Sequence, residues 1–274
     1  MDQYGVIGNP IAQSKSPWIH QQFAQQTHQA LTYQAILTDL DSFAQTVDAF
    51  RKQGGKGLNV TIPFKQEAWN YCTERTANAE LSGAVNTLIF KDGQVLGANT
   101  DGIGLVRDLR NNHEIQLEGQ SILLLGAGGA VRGVLPALCE AKPASILIAN
   151  RTLDKAQHLA QLFTSLGKVD ACAYTALAGK QFDLIINGTS ASLQDQLPPL
   201  PDGILRVNGA CYDMMYRLAP TAFVEWGHDQ KANISVDGFG MLVEQAAESF
   251  YCWRGVRPDT GAVISEFLME RMEP

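Results

Sequence analysis

Leu123-Leu124-Leu125-Gly126-Ala127-Gly128-Gly129-Ala130-Val131-Arg132-Gly133 is the stretch whose reading decides the fold. The leucines make a short apolar strand, the glycines permit a tight turn, and a helix follows. Such a turn brings backbone N–H groups and a helix N-terminus up to a pyrophosphate. Val131 occupies the third glycine of the G-x-G-x-x-G pattern, and the same letters also suit a plain strand-to-helix turn. The position of the turn inside a β-α-β unit favours a dinucleotide.

Working outward, strands are expected at 122–125, 146–149, 171–174, 184–187 and 209–212, which makes an α/β unit from Ser121 onward. Upstream, β-rich runs at 4–8, 32–37 and 57–61 alternate with helical patterns at 17–26 and 42–53. This order predicts a largely parallel sheet with helices on its faces. Between 85–90 and 95–98 stands Lys91-Asp92-Gly93-Gln94, whose Asp-Gly pair supplies the positive φ values of a tight hairpin. A linking helix at 103–111 marks the domain boundary. Helices at 241–255 and 261–272 return to the first domain, and the ligand is expected in a cleft between the halves.

At 274 residues the chain exceeds the usual single-domain size of about 100 to 200. Hydrophobic residues make up 45%, which excludes disorder for most of the chain. Twenty-one Lys+Arg against 28 Asp+Glu give a net charge of −7, and no basic run appears, so nucleic acid is excluded as a partner. The polar start lacks the marks of a secretory signal, and no apolar run approaches the roughly 20 residues that span a bilayer. A soluble, cytoplasmic protein with no membrane partner is expected. Five cysteines without a C-x-x-C pair predict a reducing compartment and no disulfide frame. Five histidines form neither H-x-H nor H-E-x-x-H, so no metal site is expected, and they read as surface or core residues.

The strand after the glycine turn ends at Ala149-Asn150-Arg151-Thr152, where an NAD-selective site places an acid for the ribose 2′-OH. Arg151 and Lys155 instead offer two cations to a 2′-phosphate, which predicts NADP as the cofactor. A solvated helix start is the alternative.

In the first domain, Ser14-Lys15-Ser16-Pro17 opens a helix, with Ser16 expected as N-cap and Pro17 as first helical residue. Ser14, not needed for that cap, joins Ser16 beside free helical N–H groups in a small anion site that fits a carboxylate. Lys65, ending Asn59-Val60-Thr61-Ile62-Pro63-Phe64-Lys65, falls in a first helical turn where the dipole disfavours a cation. That misfit points to proton transfer. Asp101 is either a dipole partner or a chemical group, and Asn86 is equally open.

In order, Gly8-Asn9-Pro10-Ile11 with the serine motif, the Asn59 to Lys65 segment, Gly83-Ala84-Val85-Asn86-Thr87, Asn99-Thr100-Asp101-Gly102, the glycine turn, Asn150-Arg151-Thr152 and Asp237-Gly238-Phe239-Gly240-Met241-Leu242 resemble the shikimate dehydrogenase family. The resemblance covers nearly the whole chain. It implies reversible reduction of 3-dehydroshikimate by NADPH on the route to chorismate and the aromatic amino acids. It implies an α/β substrate-binding domain over 1–101, a Rossmann-like NADP-binding domain over 102–236, and C-terminal helices over 237–274 that pack back on the first. Lys65 and Asp101 are then the catalytic pair. Ser14 and Ser16 hold the carboxylate with Tyr216 nearby, while Asn59, Thr61, Asn86 and Gln245 surround the ring hydroxyls. Cofactor contacts fall to Gly126, Ala127, Gly128, Gly129, Ala130, Asn150, Arg151, Thr152, Lys155, Thr189, Met214, Gly238 and Met241.

Gln245 lies four residues after Met241, so one helical face would touch both ligands. The chain departs from the family at Lys155, where arginine is common, at Ala77, where an acid is common, and at Ala191-Ser192-Leu193, which replaces a glycine-bearing turn. The alternative functions are a quinate/shikimate dehydrogenase and a non-catalytic NADP-binding regulator. Beyond the small-molecule substrate no partner is expected, and the protein is a monomer or a homodimer.

Overall fold

The central strands of both sheets are buried along most of their length, as strands with cover on each face must be. The computed structural model describes residues 1–272, so the last two residues of the 237–274 segment lie outside the described residues. The chain divides into one unit of Met1–Gly104 with Val243–Met269, and a second of Leu105–Leu242 with the chain from Glu270. Among the described residues no helix is long and apolar enough to cross a membrane.

The first unit runs β1 (Asp2–Gly8), α1 (Ser16–Gln26), β2 (Leu31–Leu37), α2 (Phe43–Lys52), β3 (Gly55–Val60), α3 (Lys65–Tyr71), β4 (Glu74–Arg75), α4 (Ala77–Ser82), β5 (Thr87–Lys91) and β6 (Gln94–Ala98). Its sheet order is β2-β1-β3-β5-β6-β4, with β1 parallel to β2 and β3 and antiparallel pairing along β3-β5-β6. Lys91 pairs with Gln94 around Asp92 (φ 51) and Gly93 (φ 79), the two positive φ values the hairpin requires. Phe43, Val47 and Phe50 recur at helical spacing on α2 and bury against Ile7, Leu58 and Val60.

The second unit opens within α5 (Asp101–Arg107) and a π turn at Asp108–Asn112. There follow β7 (Ser121–Leu125), α6 (Gly129–Glu140), β8 (Ser145–Ala149), α7 (Leu153–Phe163), β9 (Val169–Cys172), β10 (Phe182–Asn187), β11 (Leu205–Asp213), α8 (Ala222–Asp229) and β12 (Ile234–Asp237). All strands are parallel in the order β12-β11-β10-β7-β8-β9, the doubly wound arrangement whose switch point lies between β7 and β10. Ile122 and Leu124 enter one core and Leu123 and Leu125 the other, so successive residues of β7 serve opposite faces.

The chain ends in α9 (Phe239–Arg254) and α10 (Thr260–Met272). Within the first unit, Trp253 of α9 lies on the sheet. Its Nε1–H donates to the carbonyl of Leu88 at 3.0 Å, its ring stacks on Tyr4 at 4.7 Å, and a Cβ on Gly57 would stand 2.3 Å from Nε1.

Several expected boundaries move. Ser16 is the first helical residue and Lys15 the cap, because Ser14 Oγ accepts the Ser16 N–H at 3.3 Å, the bond expected from a cap. The linking helix starts at Asp101 and widens into the π turn where 103–111 reads as one regular helix. The strand expected over 171–174 spans Val169–Cys172, with Tyr174 in a 3₁₀ turn. The one expected over 85–90 begins at Thr87, since Val85 and Asn86 direct their N–H groups to Lys65 and Ala98. β4, α4 and β12 are too short for a periodic signal.

Candidate active site

α3 begins where β3 ends, and Phe64 pins the turn by stacking on Phe43 at 5.3 Å. Lys65 is therefore the first helical residue, with its stem anchored and its ammonium directed to Asp101. Asp101 begins α5, and Asn99 Oδ1 accepts its backbone N–H at 3.0 Å. Lys65 Nζ donates to Asp101 Oδ2 at 2.6 Å, with the two side chains 29% and 11% exposed. Asn86 Nδ2 donates to Asp101 Oδ1 at 2.8 Å, so both carboxylate oxygens are held. Asn86 Oδ1 in turn accepts the N–H of Thr100 at 2.9 Å. Gln245 Oε1 accepts from Asn86 Nδ2 at 3.3 Å and Thr100 Oγ1 at 3.4 Å.

Asn59 is 6% exposed and its amide is fully engaged. Oδ1 accepts from Tyr33 at 2.8 Å and His20 Nε2 at 3.2 Å, while Nδ2 donates toward Ser249 Oγ at 2.9 Å, Thr87 Oγ1 at 3.2 Å and the Asn86 carbonyl at 3.3 Å. A ring hydroxyl must displace one of these partners. Thr61 Oγ1, by contrast, has no hydrogen-bond partner among the described residues. Ser14 and Ser16 stand together at the start of α1, and Ser14 keeps its O–H for a ligand after accepting from Ser16.

His20 proves a core histidine, 1% exposed and stacked on Tyr33 at 4.2 Å. Burial lowers its pKa from 6.5 to about 3, partly opposed by the bond to Asn59. The unfolded chain therefore binds more protons than the folded one between these values, and stability present above pH 6.5 is lost as pH falls toward 3. Urea unfolding at pH 7 and pH 4 should show wild type losing about 3 kcal/mol more than His20→Leu. Parallel pH curves for the two proteins would contradict this assignment.

In the second unit, Gly126 adopts φ +103 after β7, and Thr189 follows β10 across the switch point, 3.1 Å from where a Gly126 Cβ would stand. A Cβ on Gly128 or Gly129 would meet nothing within 4 Å, so open space flanks the start of α6, whose cap offers no side-chain acceptor. Arg132 Nε, also near this turn, is buried without a hydrogen-bond partner among the described residues. The third glycine's role passes to Gly188, where a Cβ would strike Val131 at 2.4 Å. Ala127 and Ala130 flank the turn. Asn150 Nδ2 donates to the Thr152 carbonyl at 2.9 Å. Arg151 and Lys155 are exposed, and neither makes an ion pair among the described residues. These features fit a dinucleotide with a phosphorylated ribose.

Met214 is buried, a Cβ on Gly238 would stand 2.4 Å from its carbonyl, and Met241 joins the same core. Tyr216 also belongs to this unit, edge-on to Phe239 at 5.7 Å. The residues that sequence reasoning missed are Tyr33, Thr87, Thr100, Ser249 and Arg132. Ser249, one helical turn after Gln245, was within reach of a periodicity argument. Tyr33 was not, because its bond to Asn59 depends on how β2 and β3 lie in the sheet.

Three family models match: "Shikimate dehydrogenase substrate binding domain" over 6–88, "Shikimate / quinate 5-dehydrogenase" over 108–194 and "Shikimate 5'-dehydrogenase C-terminal domain" over 238–266. The chain is 56% identical to the shikimate dehydrogenase (NADP(+)) of Hahella chejuensis, over 97% of this chain and 98% of that protein. Among solved structures it is similar to an Ael1 enzyme from Pseudomonas putida, with 45% identity, TM-score 0.91, and 97% and 98% of the two chains covered. It is also similar to shikimate 5-dehydrogenase from Thermus thermophilus in complex with NADP(H) and shikimate, with 30% identity, TM-score 0.88, and coverage of 99% and 100%.

Proposed function

The chain belongs to the shikimate dehydrogenase family, and from that premise we propose that Lys65 and Asp101 carry out the reversible NADPH-dependent reduction of 3-dehydroshikimate to shikimate. The observation that carries this reading is the 2.6 Å contact between the two groups, with Asn86 holding the far carboxylate oxygen. When bound, NADPH supplies the hydride that reduces the ketone carbon.

Negative charge then grows on the oxygen, and the Lys65 ammonium neutralises it and donates the proton. Asp101 aims the ammonium, and Asn86 aims Asp101. In the oxidative direction neutral Lys65 accepts the hydroxyl proton. Because the two groups are in direct contact, the roles belong to the pair. Ser14 and Ser16 hold the carboxylate. Thr61, Asn86 and Gln245 bond the ring hydroxyls, and Asn59 does so by exchanging a partner.

The glycine turn and the start of α6 hold the pyrophosphate, with Arg151 and Lys155 on the 2′-phosphate and Asn150 and Thr152 framing them. We place the enzyme in the cytoplasm, on the route to chorismate and the aromatic amino acids; its five cysteines form no disulfide among the described residues, which suits a reducing compartment.

A steady-state assay crossing shikimate and quinate with NADP and NAD tests the reading. Shikimate with NADP should exceed every other combination in kcat/KM, by about 100-fold over shikimate with NAD. A preference for quinate with NAD would assign the chain to the quinate/shikimate enzymes. Silence with all four across a broad pH range would assign it to a cofactor-binding regulator.

A further inference from the structure

Asp108 and Tyr212 are wholly buried ionisable side chains of the second unit that take no part in the proton transfer. Asp108 opens the π turn after α5, a backbone form that concentrates at functional sites. Tyr212 is the penultimate residue of β11, near the carboxyl edge of the sheet where nucleotides bind. The phenol donates to Asp108 Oδ2 at 2.5 Å and accepts the backbone N–H of Met241. Asn112 Nδ2 donates to Asp108 Oδ1 at 2.8 Å, and His113 Nε2 lies 3.6 Å from the same oxygen. Gly240 backs onto the carboxylate so closely that a Cβ would stand 2.0 Å from Oδ1.

The π turn, the end of β11 and the first turn of α9 thus meet at one dry point. Burial raises the pKa of both the carboxyl and the phenol, a cost that an apolar pair of similar volume would not carry. What the contact adds is direction: a short charge-assisted bond and a backbone bond fix Met241 in register. Met241, Met214 and Gly238 are the residues assigned above to the cofactor, and they cluster around this phenol in sequence and in the core.

We propose that Asp108 and Tyr212 are positioning residues for NADPH: the carboxylate fixes the phenol, and the phenol fixes the backbone of Met241 and with it the cofactor-facing first turn of α9. The inference rests on the NADP reading above. It is tested in the full-length protein by titrating NADPH fluorescence, with shikimate binding measured separately by calorimetry. Tyr212→Phe keeps the ring and removes the bond; it should weaken NADPH about tenfold and lower kcat several-fold, with the shikimate dissociation constant unchanged.

Asp108→Asn keeps an acceptor without the charge and should weaken NADPH about threefold. NADPH affinity equal to wild type in Tyr212→Phe, with only the melting temperature lowered, would overturn the proposal. If Tyr212→Phe does not fold, Asp108→Asn decides in the same way. Wild-type protein that fails to bind NADPH would instead remove the underlying reading.

Discussion

Lys65→Ala lowers kcat by about 10³-fold in both directions while the dissociation constant for shikimate changes by no more than a few-fold. The size follows from what is lost, a positioned proton donor at the oxygen where charge develops, against what remains. On the proposed reading the serine pair, Thr61, Asn86 and Gln245 would still hold the substrate. The fold survives because Lys65 is 29% exposed on its side chain, and Asp101 keeps Asn86 and its place at the start of α5. Lys65→Arg should not restore the rate, since a guanidinium keeps its proton and spreads its charge over a plane. Single-turnover kinetics separate the step from binding. Unchanged turnover with tight substrate binding would take the lysine out of the mechanism.

Arg151→Ala raises KM for NADP by roughly 50-fold and leaves KM for NAD within twofold, and adding Lys155→Ala brings the two cofactors to similar kcat/KM. The asymmetry is the diagnostic. Both cations are exposed and unpaired with any carboxylate among the described residues, so neither supports the fold through an ion pair. A 2′-phosphate is the group present in one cofactor and absent in the other. Arg151 is expected to carry the larger share because its planar fork can meet two phosphate oxygens, while Lys155 would contribute a point charge. Equal losses with NADP and NAD would show that Arg151 serves the shared part of the dinucleotide.

The parts of this fold that were legible in the sequence are those where local chemistry and global placement agree. The glycine turn, the Asp92-Gly93 hairpin and the apolar strand before Gly126 each declare themselves through backbone demands that few residues meet. The Lys65 and Asp101 motifs were visible as two strand-to-helix turns, but nothing in either says that the two face each other. The family resemblance supplied that pairing.

The second layer was illegible. Tyr33, His20, Thr87 and Ser249 surround Asn59 only because α1, β2, β3, β5 and α9 pack together, and single polar side chains on such elements carry no local signature. The expectation for Ser16 as cap failed for a related reason. A serine two residues earlier can take the same N–H, and the two choices read alike in a sequence.

The indole of Trp253 over Gly57 ties the last long helix to a strand made near the beginning. During translation the segment Met1–Gly104 leaves the ribosome without that cover, and Val243–Met269 emerges only after the entire inserted unit, a delay on the order of ten seconds at cellular rates. The nascent chain therefore exposes Leu105–Leu242, nearly all of its second unit, while the first is still unfinished. An apolar strip around Tyr4 and Gly57 stays wet for that interval, where chaperones would find it.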